Sequence, residues 1–212
     1  MSFIHDPRAI EAYSREIIAA QLGDLGLAPG ERAIVTRIIH ATGDLEYAGL
    51  VVIHPRLVQA AVTSLRQGGD IITDIEMVRQ GISSSLLARG GGRLLCAIRE
   101  KKVISAAASR GVTRAMVAME YLAPQMTGAV VAIGNAPTAL FRLLELMAAG
   151  QAAPAAVIGT PVGFVGAAEA KAALETAGVP FVTVRGTRGG STVAVAAVNA
   201  LLHLAWDGEG GS

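Results

Sequence analysis

The sequence predicts an α/β protein, a three-layer α/β/α, Rossmann-like arrangement around a mainly parallel central sheet of about five or six strands. Two observations carry this. Short branched runs, such as Val130-Val131-Ala132-Ile133, alternate along the chain with segments whose apolar residues recur at helical spacing. The C-terminal half repeats strand–turn–helix three times over, a pattern that favours parallel strands covered by helices on both faces. Composition agrees. Hydrophobic residues make up 52 % and aromatics only 4 % of 212 residues. That suits a large core of small and branched side chains in one domain over residues 1–207, followed by a disordered tail at 208–212.

Each element has a local reason. Asp6-Pro7 opens a helix, a cap followed by proline in the first turn; Ile10, Tyr13 and Ile17 follow at helical spacing up to Gly23. Pro29-Gly30-Glu31 starts a second helix, with Ile34, Val35, Ile38 and Ile39 as its apolar stripe and Thr42-Gly43-Asp44 as its stop. Leu50 to Ile53 suits a buried strand, and His54-Pro55 opens a helix that Gly68-Gly69 breaks. His54, at that junction, reads as a cap in preference to a catalyst. Asp70 to Asp74 is a second strand, followed by a short helix ending near Gly81. Ser83-Ser84-Ser85 and Gly90-Gly91-Gly92 read as flexible connections. Leu94 to Ile98 is a third strand, with Cys96 as a buried thiol, and the helix after it ends near Gly111.

Thr113 caps the next helix, which runs to Pro124. Arg114 then occupies its first turn, a poor place for a cation unless an anion docks there. The three repeats follow. Ala129–Ile133, Ala155–Ile158 and Phe181–Val184 are strands; Thr138–Ala149, Gly166–Ala177 and Ser191–Ala205 are their helices. Ligands of such folds sit outside the carboxyl ends of the strands. That rule gathers Asn135, Thr138, Thr160, Arg185 and Arg188 on one edge. Thr187-Arg188-Gly189-Gly190-Ser191 is the best candidate for an anion cradle, and reads equally well as a glycine turn with a serine cap.

Several function classes are disfavoured. A net charge of +1 supplies no global basic field for nucleic acid. The richest apolar region, Ala129 to Ala168, is cut by Gly134, Pro137, Arg142, Glu145, Pro154 and Pro161, so no uninterrupted stretch reaches the ~20 residues of a membrane span. The N-terminus lacks a basic-then-apolar signal peptide, and Cys96 is the single cysteine, which together point to the reducing cytoplasm. His5, His40, His54 and His203 show no metal-ligand spacing, and His203, on an apolar helix face, reads as a core or interface histidine. Gly159-Thr160-Pro161-Val162-Gly163-Phe164-Val165-Gly166 resembles a dinucleotide fingerprint with its first glycine gap too long. Arg185 stands where an acidic residue would meet a ribose, which leaves a weak NADP-dependent dehydrogenase reading.

His40 falls in the last turn of the second helix. Unpaired carbonyls there favour positive charge, and imidazole changes charge near neutral pH, so the position suits a proton donor. From position alone, a capping histidine without chemistry is the better reading. Arg37 lies one turn earlier and shares its face. Ser14 adjoins the first helix's apolar stripe, either as a surface serine or as a hydroxyl aimed into a cleft.

Taken together, these stretches resemble the precorrin-8X methylmutase family of cobalamin biosynthesis. The resemblance rests on Ile38-Ile39-His40-Ala41-Thr42-Gly43-Asp44, on Thr73-Asp74-Ile75-Glu76-Met77-Val78, and on Gly134-Asn135-Ala136-Pro137-Thr138-Ala139-Leu140-Phe141. It continues through the Gly159–Glu169 run and Arg188-Gly189-Gly190-Ser191. These segments follow in order over nearly the whole chain. Arg15 departs from the family pattern, which has an apolar residue there. The resemblance implies an isomerase that moves a methyl group from C11 to C12 of a corrin precursor, giving hydrogenobyrinic acid, with no nicotinamide or metal cofactor. It implies His40 as the catalytic acid and base. It also implies Ser14, Arg37, Thr42, Arg114, Asn135, Thr138 and Arg188 as contacts to a substrate rich in acetate and propionate groups. A homodimer with the site at the subunit interface is implied as well. The family serves both metal-free and cobalt-bearing substrates, so a cobalt-precorrin-8 methylmutase is the neighbouring reading. A non-catalytic corrinoid carrier is the remaining alternative.

Overall fold

The computed structural model describes residues 4–207; the tail expected at 208–212 lies outside them. In chain order the elements are α1 (Pro7–Leu22), α2 (Pro29–Thr42), α3 (Tyr47–Leu50), β1 (Val51–Ile53), α4 (Leu57–Arg66), β2 (Ile71–Thr73), α5 (Glu76–Gly81), α6 (Ser84–Ala88), β3 (Leu94–Leu95), α7 (Lys101–Arg110), α8 (Arg114–Leu122), β4 (Val130–Ile133), α9 (Pro137–Ala148), β5 (Ala156–Gly159), α10 (Ala167–Glu175), β6 (Phe181–Val184) and α11 (Ser191–Trp206).

The six strands form one sheet in the order β1-β6-β5-β4-β2-β3, parallel except for β1, which runs antiparallel to β6. Alternation along each strand divides its side chains between two cores. Val130, Ala132, Ile158 and Val182 face a layer holding α2, α4, α5 and α11. Val131, Ile133, Val157 and Phe181 face the other layer, α7 to α10. The central strands β4, β5 and β6 are buried at every position, which is why they read as unbroken apolar runs.

The expected strand at Leu50–Ile53 is present as β1, but it is half-buried and antiparallel at a sheet edge, because only β6 pairs with it. The strand expected over Leu94–Ile98 closes after two residues. Its single neighbour is β2, and Ala97 already accepts a turn hydrogen bond from Glu100. Cys96 therefore sits half-buried beyond the strand end rather than inside the sheet, and burial raises its thiol pKa. The serine run expected to be a loose connection forms α6, with Ser83 capping the amide of Leu86. His54 braces the turn ahead of α4, its Nδ1 accepting from the amide of Arg56 at 3.1 Å, while the N-cap itself is Arg56 and has no side-chain cap.

Strand β2 lies between β3 and β4, so the sheet grows in one direction and then the other from β2. Such a reversal opens a crevice at the carboxyl ends of the two strands flanking it. Gly134 at the end of β4 has no room for a side chain. A Cβ there would come within 2.8 Å of Val78 and 2.9 Å of Ala194. The backbone is thereby drawn tight against α5 and α11 at the crevice.

Candidate active site

Burial on α2 decides where His40 points. Ile34, Val35, Ile38 and Ile39 are all at most 2 % exposed and pack into the core beside α11. Each contributes roughly 1.5–3 kcal/mol of apolar burial, so the helix is not free to roll. Thr36, Arg37, His40 and Ala41 are left facing a cleft of about 720 Å³ between α1, α2 and the C-terminal half of α11. That volume lies within the usual range for small-molecule sites. The lined part of α2 runs from Pro29 to Ala41, about 18 Å at 1.5 Å per residue. His40 is exposed and its ring has no hydrogen-bond partner among the described residues. Gly43, in the left-handed region at φ 66°, stops the helix and donates its amide to the carbonyl of Ile39.

The cleft is cationic. Arg15, Arg32 and Arg37 line it together with His40 and His203, while Glu11 is the one acidic residue among the lining residues. Arg32 is held by Asp24 at 3.2 Å; Arg15 and Arg37 have no carboxylate partner among the described residues. Sequence reasoning singled out Arg37 and His40 but missed Arg15, Arg32 and Glu11 as cleft groups. The i, i+4 spacing of Glu11 and Arg15 was the available signal.

The other expected site residues are placed differently. Ser14 does not line the cleft; its hydroxyl donates to the carbonyl of Ile10 at 2.8 Å. The Thr42 hydroxyl likewise turns back onto Ile38 at 2.8 Å. Arg188 is already paired, 2.9 Å from Asp44 and 2.5 Å from Glu46. That pairing ties the loop after β6 to the segment just past His40. Buried Tyr47 lies beside this cluster; burial and the Asp44 charge raise its phenol pKa. Arg114 stands exposed in the first turn of α8, where Thr113 caps the amide of Met116. The Thr113 and Thr138 hydroxyls are 2.9 Å apart, joining the N-termini of α8 and α9. Asn135 is exposed just before α9. Arg114 on α8 and Thr138 on α9 thus belong to the opposite helical layer from His40, with Asn135 in the turn leading into α9, and Arg185 is occupied by Glu175.

Asp74 and Lys171 were not expected as site residues. Asp74 is 1 % exposed, and its carboxylate accepts from the amides of Gly134, Asn135 and Ala136 at 3.0, 2.9 and 2.8 Å. Burial raises its pKa, while the three amides pull in the other direction. The free amides at this crevice, where an anionic ligand would dock in a related fold, are therefore filled by the protein's own carboxylate. Lys171 on α10 is 1 % exposed and donates to the carbonyl of Arg188. Gly190 donates to Thr160 at 2.8 Å and Gly163 to Thr187 at 3.1 Å, so the glycine loop is held from three sides. At Gly159 the missing side chain leaves room for Leu174 and Leu140 of the neighbouring helices. No group of three or more His, Cys, Asp or Glu that could hold a metal occurs among the described residues. No described helix is long and apolar enough to cross a membrane.

The family model for precorrin-8X methylmutase matches residues 9–204. A cobalt-precorrin-8 methylmutase of Methanothermobacter thermautotrophicus is 48 % identical over 195 residues, 92 % of this chain and 90 % of that protein. A precorrin-8X methylmutase of Pseudomonas aeruginosa is 41 % identical over 203 residues, 95 % of this chain and 97 % of that one. The crystal structure of a precorrin-8X methylmutase from Thermus thermophilus superposes with a TM-score of 0.88 at 39 % identity, covering 95 % and 98 % of the two chains.

Two expectations follow. Asp74→Ala removes the acceptor of three amides, one buried and two part-buried, at about 1 kcal/mol or more each. Urea unfolding of the variant should show a loss of about 3 kcal/mol or more with an unchanged m-value. Burial lowers the Lys171 pKa from 10.5 to about 8. The unfolded chain therefore holds this proton more tightly between those values, and stability from this group rises with pH across that window. Compared with Lys171→Met, the native chain should gain relative stability between pH 7 and pH 9.5 in parallel denaturation curves.

Proposed function

The chain belongs to the precorrin-8X methylmutase family, isomerases of cobalamin biosynthesis, and on that premise we propose that His40 is the general acid and base of its methyl shift. The observation that carries this is an exposed imidazole at a cationic cleft, with no hydrogen-bond partner among the described residues. His40 lends a proton to a ring nitrogen of the macrocycle. The added charge draws electrons through the conjugated system, the methyl group passes from C11 to C12, and the proton returns. Substrate and product are isomers, so no electrons are gained or lost. A positioned acid of this kind contributes about 10²–10⁴-fold. Arg37, one turn before His40, meets a substrate carboxylate, and Arg15, without a carboxylate partner among the described residues, shares that work.

The substrate's reach to Arg114, Asn135 and Thr138 is assigned to a second copy of the chain, in a homodimer with the site at the interface. The division of the site residues between opposite helical layers supports this. So does the apolar surface of the Gly159–Glu169 run, where Phe164 is 93 % and Val165 89 % exposed. The cytoplasm is the proposed setting, in keeping with a lone free cysteine.

Purified protein mixed with precorrin-8X should develop a corrin absorption spectrum without added cofactor. His40→Ala should lower that rate by about 10²–10⁴-fold while product binding survives; a rate left intact would remove His40 from the mechanism. Light scattering should give the mass of two chains. Phe164→Asp, a change at an exposed position, should yield a folded monomer with little turnover.

A further inference from the structure

The C-terminal half of α11 contributes Ala200, His203 and Leu204 to the cleft wall, at i, i+3 and i+4 spacing. His203 is the polar member, with its side chain 23 % exposed and its Nδ1 2.9 Å from Asp207 Oδ2. The other Asp207 oxygen accepts from Arg89 Nη1 at 3.1 Å, and the Arg89 guanidinium lies 5.2 Å over the Trp206 ring. A carboxylate on one ring nitrogen fixes the orientation of an imidazole and sets which nitrogen remains available. Here that nitrogen is Nε2.

A solvent-exposed i, i+4 pair of this kind would be worth little by itself. Its place in the cleft gives it a use. The imidazole stands in a lining already rich in arginine, with Glu11 as the one acidic side chain. Arg15 and Arg37 in that lining have no carboxylate partner among the described residues, which suits an anionic guest. We propose that His203 is a further substrate-contacting residue: as the imidazolium, with Nδ1–H on Asp207, its Nε2–H donates to a peripheral carboxylate of the corrin while Asp207 and Arg89 position the ring. This rests on the methylmutase reading. His203 binds and orients the macrocycle; the proton that drives the methyl shift stays with His40.

The test is the affinity for hydrogenobyrinic acid, read by absorption titration on the full chain, alongside steady-state kinetics. A charge-assisted hydrogen bond lost to His203→Leu should raise Kd about tenfold or more and raise KM with kcat nearly kept. His203→Gln, which still offers an N–H donor, should recover part of the affinity. Asp207→Asn, which leaves the imidazole present but loosely oriented, should show a smaller rise. Should His203→Leu fail to fold, the glutamine and asparagine variants decide the matter. Native Kd and KM in the folded variants would overturn the role of His203. His40→Ala, run in parallel, keeps the two failures apart. If the native chain neither binds the corrin nor converts precorrin-8X, the methylmutase reading falls and this one with it. If the native chain and His40→Ala both bind while the His203 variants are unaltered, only His203 is excluded.

Discussion

The packing of α2 against α11 is the contact on which the site depends. Four aliphatic side chains of α2 are sealed at 2 % exposure or less, and α11 buries Val193, Ala194, Ala197, Val198 and Leu201 to a similar degree. Alanine lets the two helix backbones come close, and branched residues fill what is left. Because side chains on a helix are spaced by 3.6 residues per turn, fixing one face fixes the other. Arg37 and His40 are presented to the cleft by buried residues that do not line it. A polar residue at Ile34 or Ile38 would damage the site by releasing the roll of the helix, well before any chemistry was affected.

The carboxyl edge of the sheet is organised by the same economy of close approach. Asp74 grips the three amides after β4, and Gly134 lets that turn lie against Val78 and Ala194. Lys171 and the amides of Gly163 and Gly190 hold the loop after β6. Arg188 then reaches from that loop to Asp44 and Glu46, four and six residues past His40 in the chain. The glycine loop and the end of α2 are thus mechanically joined. A guest that drew Arg188 toward its own carboxylate would have to compete with two carboxylates of the protein, and would loosen the segment that follows α2.

Legibility in the sequence followed the range of the interactions. The strands at Val130–Ile133, Ala156–Gly159 and Phe181–Val184 were plain, because a strand buried on both faces must be apolar throughout. The helix carrying His40 was equally plain, since its stripe and its glycine stop are local. The direction of β1 was not, because an antiparallel edge strand and a parallel one share the same composition and differ only in their partner. The brevity of β3 has the same origin. Asp74 and Lys171 stayed hidden because their partners are backbone groups distant in sequence, and backbone groups leave no trace in residue identity. Ser14 and Thr42 show another limit of reading residue types. A hydroxyl within a helix can satisfy itself on the carbonyl four residues earlier, as both do, and residue type alone does not reveal that choice.

Charge placement connects the fold to the reaction. The net charge of +1 conveys nothing about a polyanionic substrate. What matters is which cations the protein leaves unneutralised. Arg93 is matched by Asp70, Arg110 and Arg142 by Glu120, Arg185 by Glu175, and Arg188 by Asp44 and Glu46. Pairs of this sort at the surface add little stability, but they remove those guanidinium groups from competition for an anion. Arg15 and Arg37, flanking the His40 cleft, carry no such partner among the described residues. Arg56, Arg99, Lys101, Lys102 and Arg114 are likewise without a carboxylate partner among the described residues. Arg15 and Arg37, however, are the ones that line the same cleft as His40, so in the proposed mechanism a substrate carboxylate and the proton donor meet in one place.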